Sequence, residues 1–144
     1  MNPWQVPYKG IDYPSSEHAY QAAKMTCEIS RRSIAACAKP GHAKKMGRAV
    51  SERKGWEEMK LEVMKDIVIC KFDNSTLLAA QLLTTDDRYL MEGNSHGDAF
   101  WGVCNGEGKN HLGRILMNVR KYIRAHRNSL LILKDPDVTK MPEK

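Results

Sequence analysis

The sequence is poor in cysteine. Cys27, Cys37, Cys70 and Cys104 are spread along 144 residues and form no CxxC pair. A secreted scaffold of this size held by disulfides is richer in cysteine, so free thiols are expected. The histidines are scattered too, with no HxxxH or HExxH spacing, and neither a metal nor a cofactor is expected. No apolar run approaches the roughly 20 residues that cross a bilayer. The stretch from Met1 to Pro7 lacks the basic-then-apolar pattern of a secretory signal. These absences argue against a membrane partner, and the expected location is the cytoplasm. There is no internal repeat and no linker long enough to split the chain.

What is present is the balance of an ordinary globular domain: 42% hydrophobic and 28% charged residues. A single domain is expected over residues 1–134, followed by a polar, proline-containing, flexible tail over 135–144. The formal net charge of +6 suits a phosphate-bearing ligand or nucleic acid. A solvated basic surface accounts for the charge equally well.

The patterning predicts a mainly α fold with a few short β strands. Residues 4–13 read as a hairpin, or as two short extended segments, turning at Lys9-Gly10. Pro14-Ser15-Ser16 followed by Glu17 marks a helix start, with a serine to cap it and an acid near its positive end; this helix is expected to reach about Cys27. Further helices are expected over 29–38, over 42–50, and from Trp56 to near Phe72. In the last of these, Trp56, Met59, Val63, Met64 and Ile67 recur at three-to-four spacing. Asp73-Asn74-Ser75 caps another helix over 76–83. A strand is expected over 88–92, a loop over 93–109, a last helix from Asn110 to about His126, and a strand over 130–133.

Three places carry residue types suited to chemistry. Glu17, Gln21 and Lys24 stand at i, i+4 and i+7, so a carboxylate, an amide and an amine share one helix face. An exposed charged stripe has the same spacing. The second place is Asp98-Ala99-Phe100-Trp101-Gly102, leading into Asn105-Gly106-Glu107-Gly108-Lys109-Asn110. Backbone N–H groups where such a loop enters a helix can bind an anion, and Trp101 can floor a sugar or base pocket. Glycine-rich loops also merely turn corners. The third is Gly47-Arg48, whose guanidinium can fork onto a phosphate, with Trp56 close behind as either a core or a ligand residue.

The run Tyr13-Pro14-Ser15-Ser16-Glu17-His18-Ala19-Tyr20-Gln21-Ala22-Ala23-Lys24 resembles the opening signature of the NADAR, or YbiA-like, family. Further matches follow in the family's order. They are Met46-Gly47-Arg48, Trp56, Met64, Lys71-Phe72, Leu82-Leu83, Leu90-Met91-Glu92, Asp98-x-x-Trp101-Gly102 and Gly108-x-Asn110-x-Leu112-Gly113-x-x-Leu116-Met117-x-x-Arg120. The likeness runs from about Tyr8 to Ile123. The family's usual Phe-x-Ser-Asn-Phe-like segment has no counterpart ahead of the hairpin, which puts any part it plays in closing a pocket in question.

The resemblance implies a single-domain, multihelical fold and an N-glycosidase. Such an enzyme hydrolyses the bond between ADP-ribose, or a ribose phosphate, and a nitrogenous base. ADP-ribosyl-guanine in nucleotides or DNA, and riboflavin-pathway intermediates, are the substrate types attached to the family. Lys24 is implied as the catalytic lysine, forming a Schiff base with the opened ribose. Glu17 and Asp98 are the candidate carboxylates for the charge that develops on the sugar. Gln21, His18, Arg48, Trp56, Trp101, Gly102, Lys109 and Asn110 are the candidate substrate-binding residues. Partners are then a small nucleotide substrate and ADP-ribosylated DNA or RNA. Two other functions fit: a non-catalytic ADP-ribose or NAD-binding module, and a nucleic-acid binder using Arg114, Arg120, Lys121, Arg124 and Arg127 of the last helix.

Overall fold

The computed structural model describes residues 4–134, with side chains to residue 126; the tail expected over 135–144 lies outside them. Among the described residues the chain is mainly α, with six helices and four short strands. No helix among them is long and apolar enough to cross a membrane. The chain forms two compact units, Met1–Ala80 and Gln81–Lys144.

The first unit opens with the expected hairpin. Strands β1 (Val6–Tyr8) and β2 (Ile11–Tyr13) are antiparallel, with Val6 opposite Tyr13 and Tyr8 opposite Ile11. These four side chains are buried and Asp12 between them is exposed, the alternation that a ribbon with one covered face requires. Helix α1 (Ser16–Ala23) follows, with Ser15 as its N-cap accepting from the His18 N–H. It is the centre of this unit, packed against β1, β2, α2 (Glu28–Ala35), α3 (Pro40–Arg48) and α4 (Trp56–Asp73). Its alanines Ala19, Ala22 and Ala23 are buried and let these neighbours approach.

Helix α1 ends at Ala23 with Lys24 as C-cap, short of the expected Cys27. The reason is tertiary. The Lys24 carbonyl accepts from the Arg53 N–H at 2.9 Å, and the Met25 carbonyl accepts from Arg31 Nε at 3.1 Å. Helix α3 starts at Pro40, two residues before the expected boundary, because proline has no N–H to lose at a first helical position. Helix α5 (Thr76–Leu83) begins where Ser75 Oγ caps the Leu78 N–H at 3.2 Å, as the sequence predicts.

In the second unit the strand expected over 88–92 does not form. Its backbone groups are taken by side chains: Leu90 O and Glu92 N by Asn110, and Arg88 O by Arg120. The strands lie inside the expected loop, where β3 (Gly93–Asn94) pairs in parallel with β4 (Val103–Cys104). Helix α6 (His111–Lys134) runs through the positions expected as a strand over 130–133. Four residues of apolar sequence suit a helix turn as well as a strand, and an established helix propagates at little cost.

Candidate active site

Lys24 stands at the end of α1, half-buried, with its ammonium 5.5 Å from the centre of the Tyr20 ring. It makes no ion pair among the described residues. Burial holds its amine below the 10.5 of an ordinary lysine; Glu52 and Glu17 oppose that shift, while Arg48 and Lys44 add to it. The competition between desolvation and the carboxylate on the same helix face is therefore won by desolvation. Lys24 lines a cavity of about 300 Å³ with Cys27, Ser30, Ser51, Glu52 and Arg53. Cys27 caps the start of α2, and backbone N–H groups of Ser30 and Ile29 pull its thiol below the usual range.

The predicted face of α1 is real but differently used. Gln21 is buried, and its Nε2 donates to Glu17 Oε1 at 2.7 Å. The amide expected to bind substrate thus fixes the carboxylate instead. Its other end, Oε1, is buried without a partner among the described residues. It packs on α3 at Gly47, where any Cβ would overlap that oxygen. Gly47→Ala tests this arrangement. Alanine gains roughly 1 kcal/mol of helix propensity, while forcing the amide off Glu17 costs about 1–3 kcal/mol. We expect a modest net loss in thermal stability and an activity loss matching that of Gln21→Ala. Wild-type activity in Gly47→Ala would show that the Gln21–Glu17 bond is idle.

Two residues expected to touch substrate are core residues. His18 has no exposed surface, and both ring nitrogens are used within the protein: Nε2 to the Cys37 carbonyl at 2.9 Å and Nδ1 to Ser15 Oγ at 2.7 Å. A carbonyl only accepts, so Nε2 carries a proton; in the neutral ring Ser15 then donates to Nδ1. Trp56 is 3% exposed and packs its ring 5.2 Å from that of Tyr20. It belongs to the apolar stripe of α4.

The 98–110 segment is an internally bonded turn. Asp98 Oδ1 accepts from the N–H groups of Phe100 and Trp101 at 3.1 and 2.9 Å. Asn94 grips the Asp98 backbone through both ends of its amide. Gly102 is buried for packing: a Cβ there would overlap the Glu92 carbonyl. Asn110, expected to hold phosphate, is 2% exposed and spends its amide on Glu92 N, Leu90 O and Tyr89 Oη. Lys109 is exposed, with its N–H given to the Ala99 carbonyl. Trp101 is half-buried, edge-on to Phe100 with ring centres 4.8 Å apart.

The basic face imagined on the last helix is also depleted. Arg120 is buried and bonded to Thr85 Oγ1 and Arg88 O, and Arg124 to Asp87 and the Asp86 carbonyl. Among the described residues no group of His, Cys, Asp or Glu is arranged to hold a metal ion. The residue that sequence reasoning missed is Glu52. It sits in the link between α3 and α4, and no spacing rule connects it to Lys24. The Arg53 N–H to Lys24 O bond brings that link to the end of α1.

The NADAR domain family matches residues 1–124. The chain belongs to this family. N-glycosidase YbiA of Shigella boydii is 39% identical over 123 residues, covering 83% of this chain and 76% of that protein. YbiA of Escherichia coli is 38% identical over 123 residues with the same coverage. A riboflavin biosynthesis protein of Vibrio vulnificus is 40% identical over 127 residues, 86% of this chain; the chain spans 34% of that protein's length. The NMR structure of Escherichia coli YbiA matches the fold with a TM-score of 0.77 at 36% identity, covering 88% of this chain and 78% of that one. The NADAR family thus includes N-glycosidases, and the mainly α fold is that of YbiA. Most of the first unit's site residues stand in the signature that the sequence shares with the family, whereas Glu52 lies outside it.

Proposed function

We propose that this NADAR protein is an N-glycosidase that cleaves the C–N bond between a phosphorylated ribose, as in ADP-ribose, and a nitrogenous base. The observation that carries the proposal is Lys24: a half-buried amine on the wall of a cavity, held below the ordinary lysine range and free of any ion pair among the described residues. Such an amine is a nucleophile at lower pH than a surface lysine. The N-glycosidase names of the relatives support the reaction class.

In this reading the neutral Lys24 Nζ adds to C1 of the sugar as the C1–N bond breaks. The base departs with the bonding pair and takes a proton. The lysine nitrogen loses both its protons, one to the departing base and one to the ring oxygen, and the sugar opens to a neutral C1=Nζ Schiff base. Water then adds across that bond, releases the sugar and restores the amine. Glu17, aimed by Gln21, stabilises positive charge building on the ring and carries protons. ADP-ribosyl-guanine nucleotides and phosphoribosylated pyrimidines of the riboflavin type are the two substrate classes to compare. Incubation with each in parallel, with released base and sugar detected by mass spectrometry, tests the activity and separates them. Tight ADP-ribose binding with no base released from either would favour a binding module.

The pH profile follows from the neighbours of Lys24. Turnover requires the unprotonated amine, so kcat/KM should rise with pH and level off below 10.5. Glu52 raises the lysine and Arg48 lowers it. Glu52→Gln should therefore move the rising limb to lower pH, and Arg48→Gln should move it to higher pH. If neither substitution moves the limb, another group controls the profile.

A further inference from the structure

A second cavity in the first unit lies between the hairpin and the flank of α4. Its volume is about 130 Å³, roughly ten times what one water needs on the same measure. Tyr8, Tyr13, Lys9, Arg31 and Arg53 line it, with Met59 on its apolar side.

Two features of this wall are unusual. Tyr8 and Tyr13 are 8% and 2% exposed, yet neither hydroxyl has a hydrogen-bond partner among the described residues. Buried tyrosine hydroxyls normally find one. They are also not enclosed: the Gln21 oxygen alone is both fully covered and unpartnered among the described residues. Neither hydroxyl is fully covered, and both residues line the cavity. Burial raises both phenols, so they remain O–H donors at neutral pH.

The second feature is uncompensated positive charge. Among the described residues Arg53 makes no ion pair, and Arg31 gives only its Nε, to the Met25 carbonyl. Both guanidinium groups act on the tyrosines, Arg53 on Tyr8 and Arg31 on Tyr13. Lys9 extends over the Tyr8 ring at 5.6 Å. An opposing charge, Asp66, acts on Tyr8 from α4, and it is exposed. Arg32, which also acts on Tyr13, is already bonded to Glu28.

We propose that this cavity binds a phosphate dianion, held by the guanidinium groups of Arg31 and Arg53 and by the hydroxyls of Tyr8 and Tyr13. Planar guanidinium forks match tetrahedral oxyanions, and two O–H donors complete the shell. A carboxylate presents its acceptor sites on two oxygens in one plane, whereas a phosphate dianion offers tetrahedral oxygens to donors that converge from different sides and carries twice the charge. The dianion is inorganic phosphate or the terminal phosphate of a sugar monoester. Arg53 also lines the Lys24 cavity, so the two cavities share one wall residue, but Lys24 does not line this one and the phosphate site holds whether or not the chemistry assigned to Lys24 is correct.

The test uses the full chain titrated with inorganic phosphate, and separately with ribose 5-phosphate, each against chloride at matched ionic strength. Binding is read by calorimetry and by the NMR shifts of the arginine side-chain N–H groups. Phosphate should bind and shift Arg31 and Arg53, while chloride should not. Tyr13→Phe keeps the ring and removes only the hydroxyl; Arg31→Lys keeps the charge and removes the fork. Each should weaken phosphate roughly ten-fold with the circular dichroism spectrum unchanged, and Lys24→Ala should leave the affinity as it is. Tighter ribose 5-phosphate, weakened by the same two variants, identifies the ligand as a monoester; equal affinity identifies free phosphate. The proposal is overturned by no binding above chloride, by unchanged affinity in both Tyr13→Phe and Arg31→Lys, or by loss of binding in Lys24→Ala.

Discussion

Lys24→Ala should lower turnover roughly 10³-fold or more while the protein melts within a few degrees of wild type. The small structural effect follows from how the residue is placed. The C-cap role of Lys24 is played by its backbone N–H, which bonds to the Gln21 and Ala22 carbonyls whatever the side chain is. The side chain makes no ion pair among the described residues. Its contact with the Tyr20 ring is of the kind that contributes about 0.5–1 kcal/mol at a partly exposed position, and removing a partly desolvated charge offsets some of that.

Lys24→Arg separates nucleophile from charge. Arginine keeps the cation but stays protonated and forms no imine. If Lys24 acts as the nucleophile, Arg and Ala should be equally inactive. Activity retained in Lys24→Arg would reduce the residue to an electrostatic role, and the Schiff base would be abandoned. Borohydride added during turnover should trap one sugar adduct on the wild type and none on either variant. A trapped adduct elsewhere would place the nucleophile on a different residue.

Asn110→Ala should destabilise the protein by about 3–5 kcal/mol, the largest single-site loss expected outside the apolar core. Its side chain closes hydrogen bonds to Glu92 N, Leu90 O and Tyr89 Oη at 2.9, 2.8 and 3.1 Å. The bonds to the backbone contribute most, because truncation strands groups facing a 2%-exposed site; Tyr89 is exposed and can turn to water. Asn110 also has a φ of 54°, where alanine is strained by about 1–2 kcal/mol.

Asn110→Gly loses the same bonds without the strain, so it should recover about 1 kcal/mol of the loss. Denaturant unfolding of the three proteins measures both parts. A loss below about 1 kcal/mol in Asn110→Ala, accompanied by a raised KM, would restore the phosphate-binding role that the sequence suggested. A large loss with KM unchanged in the folded fraction would establish that Asn110 holds the fold and does not bind substrate.

The sequence by itself determined the local structure and the family. Ser15 and Ser75 cap helices where their side chains compete for free N–H groups, and that chemistry acts within three residues. The hairpin was legible because Lys9-Gly10 marks a turn between two short extended segments. The amine and acid on α1 were legible because helical periodicity alone places them on one face.

What the sequence could not decide was which polar groups are spent inside the fold. His18, Gln21, Asp98 and Asn110 have the chemistry of ligand-binding residues, but each bonds instead to a nearby helix, turn or loop. A hydrogen-bonding group is satisfied by whatever reaches it first in three dimensions, and sequence spacing does not record that. The strand expected over 88–92 failed for the same reason, since the side chains that claim its backbone come from Asn110 and Arg120. Glu52 and the Arg31–Arg53 cavity were invisible until the chain closed on itself. Charge and desolvation act through space over a few ångströms, whereas the patterns visible in a sequence act along the chain.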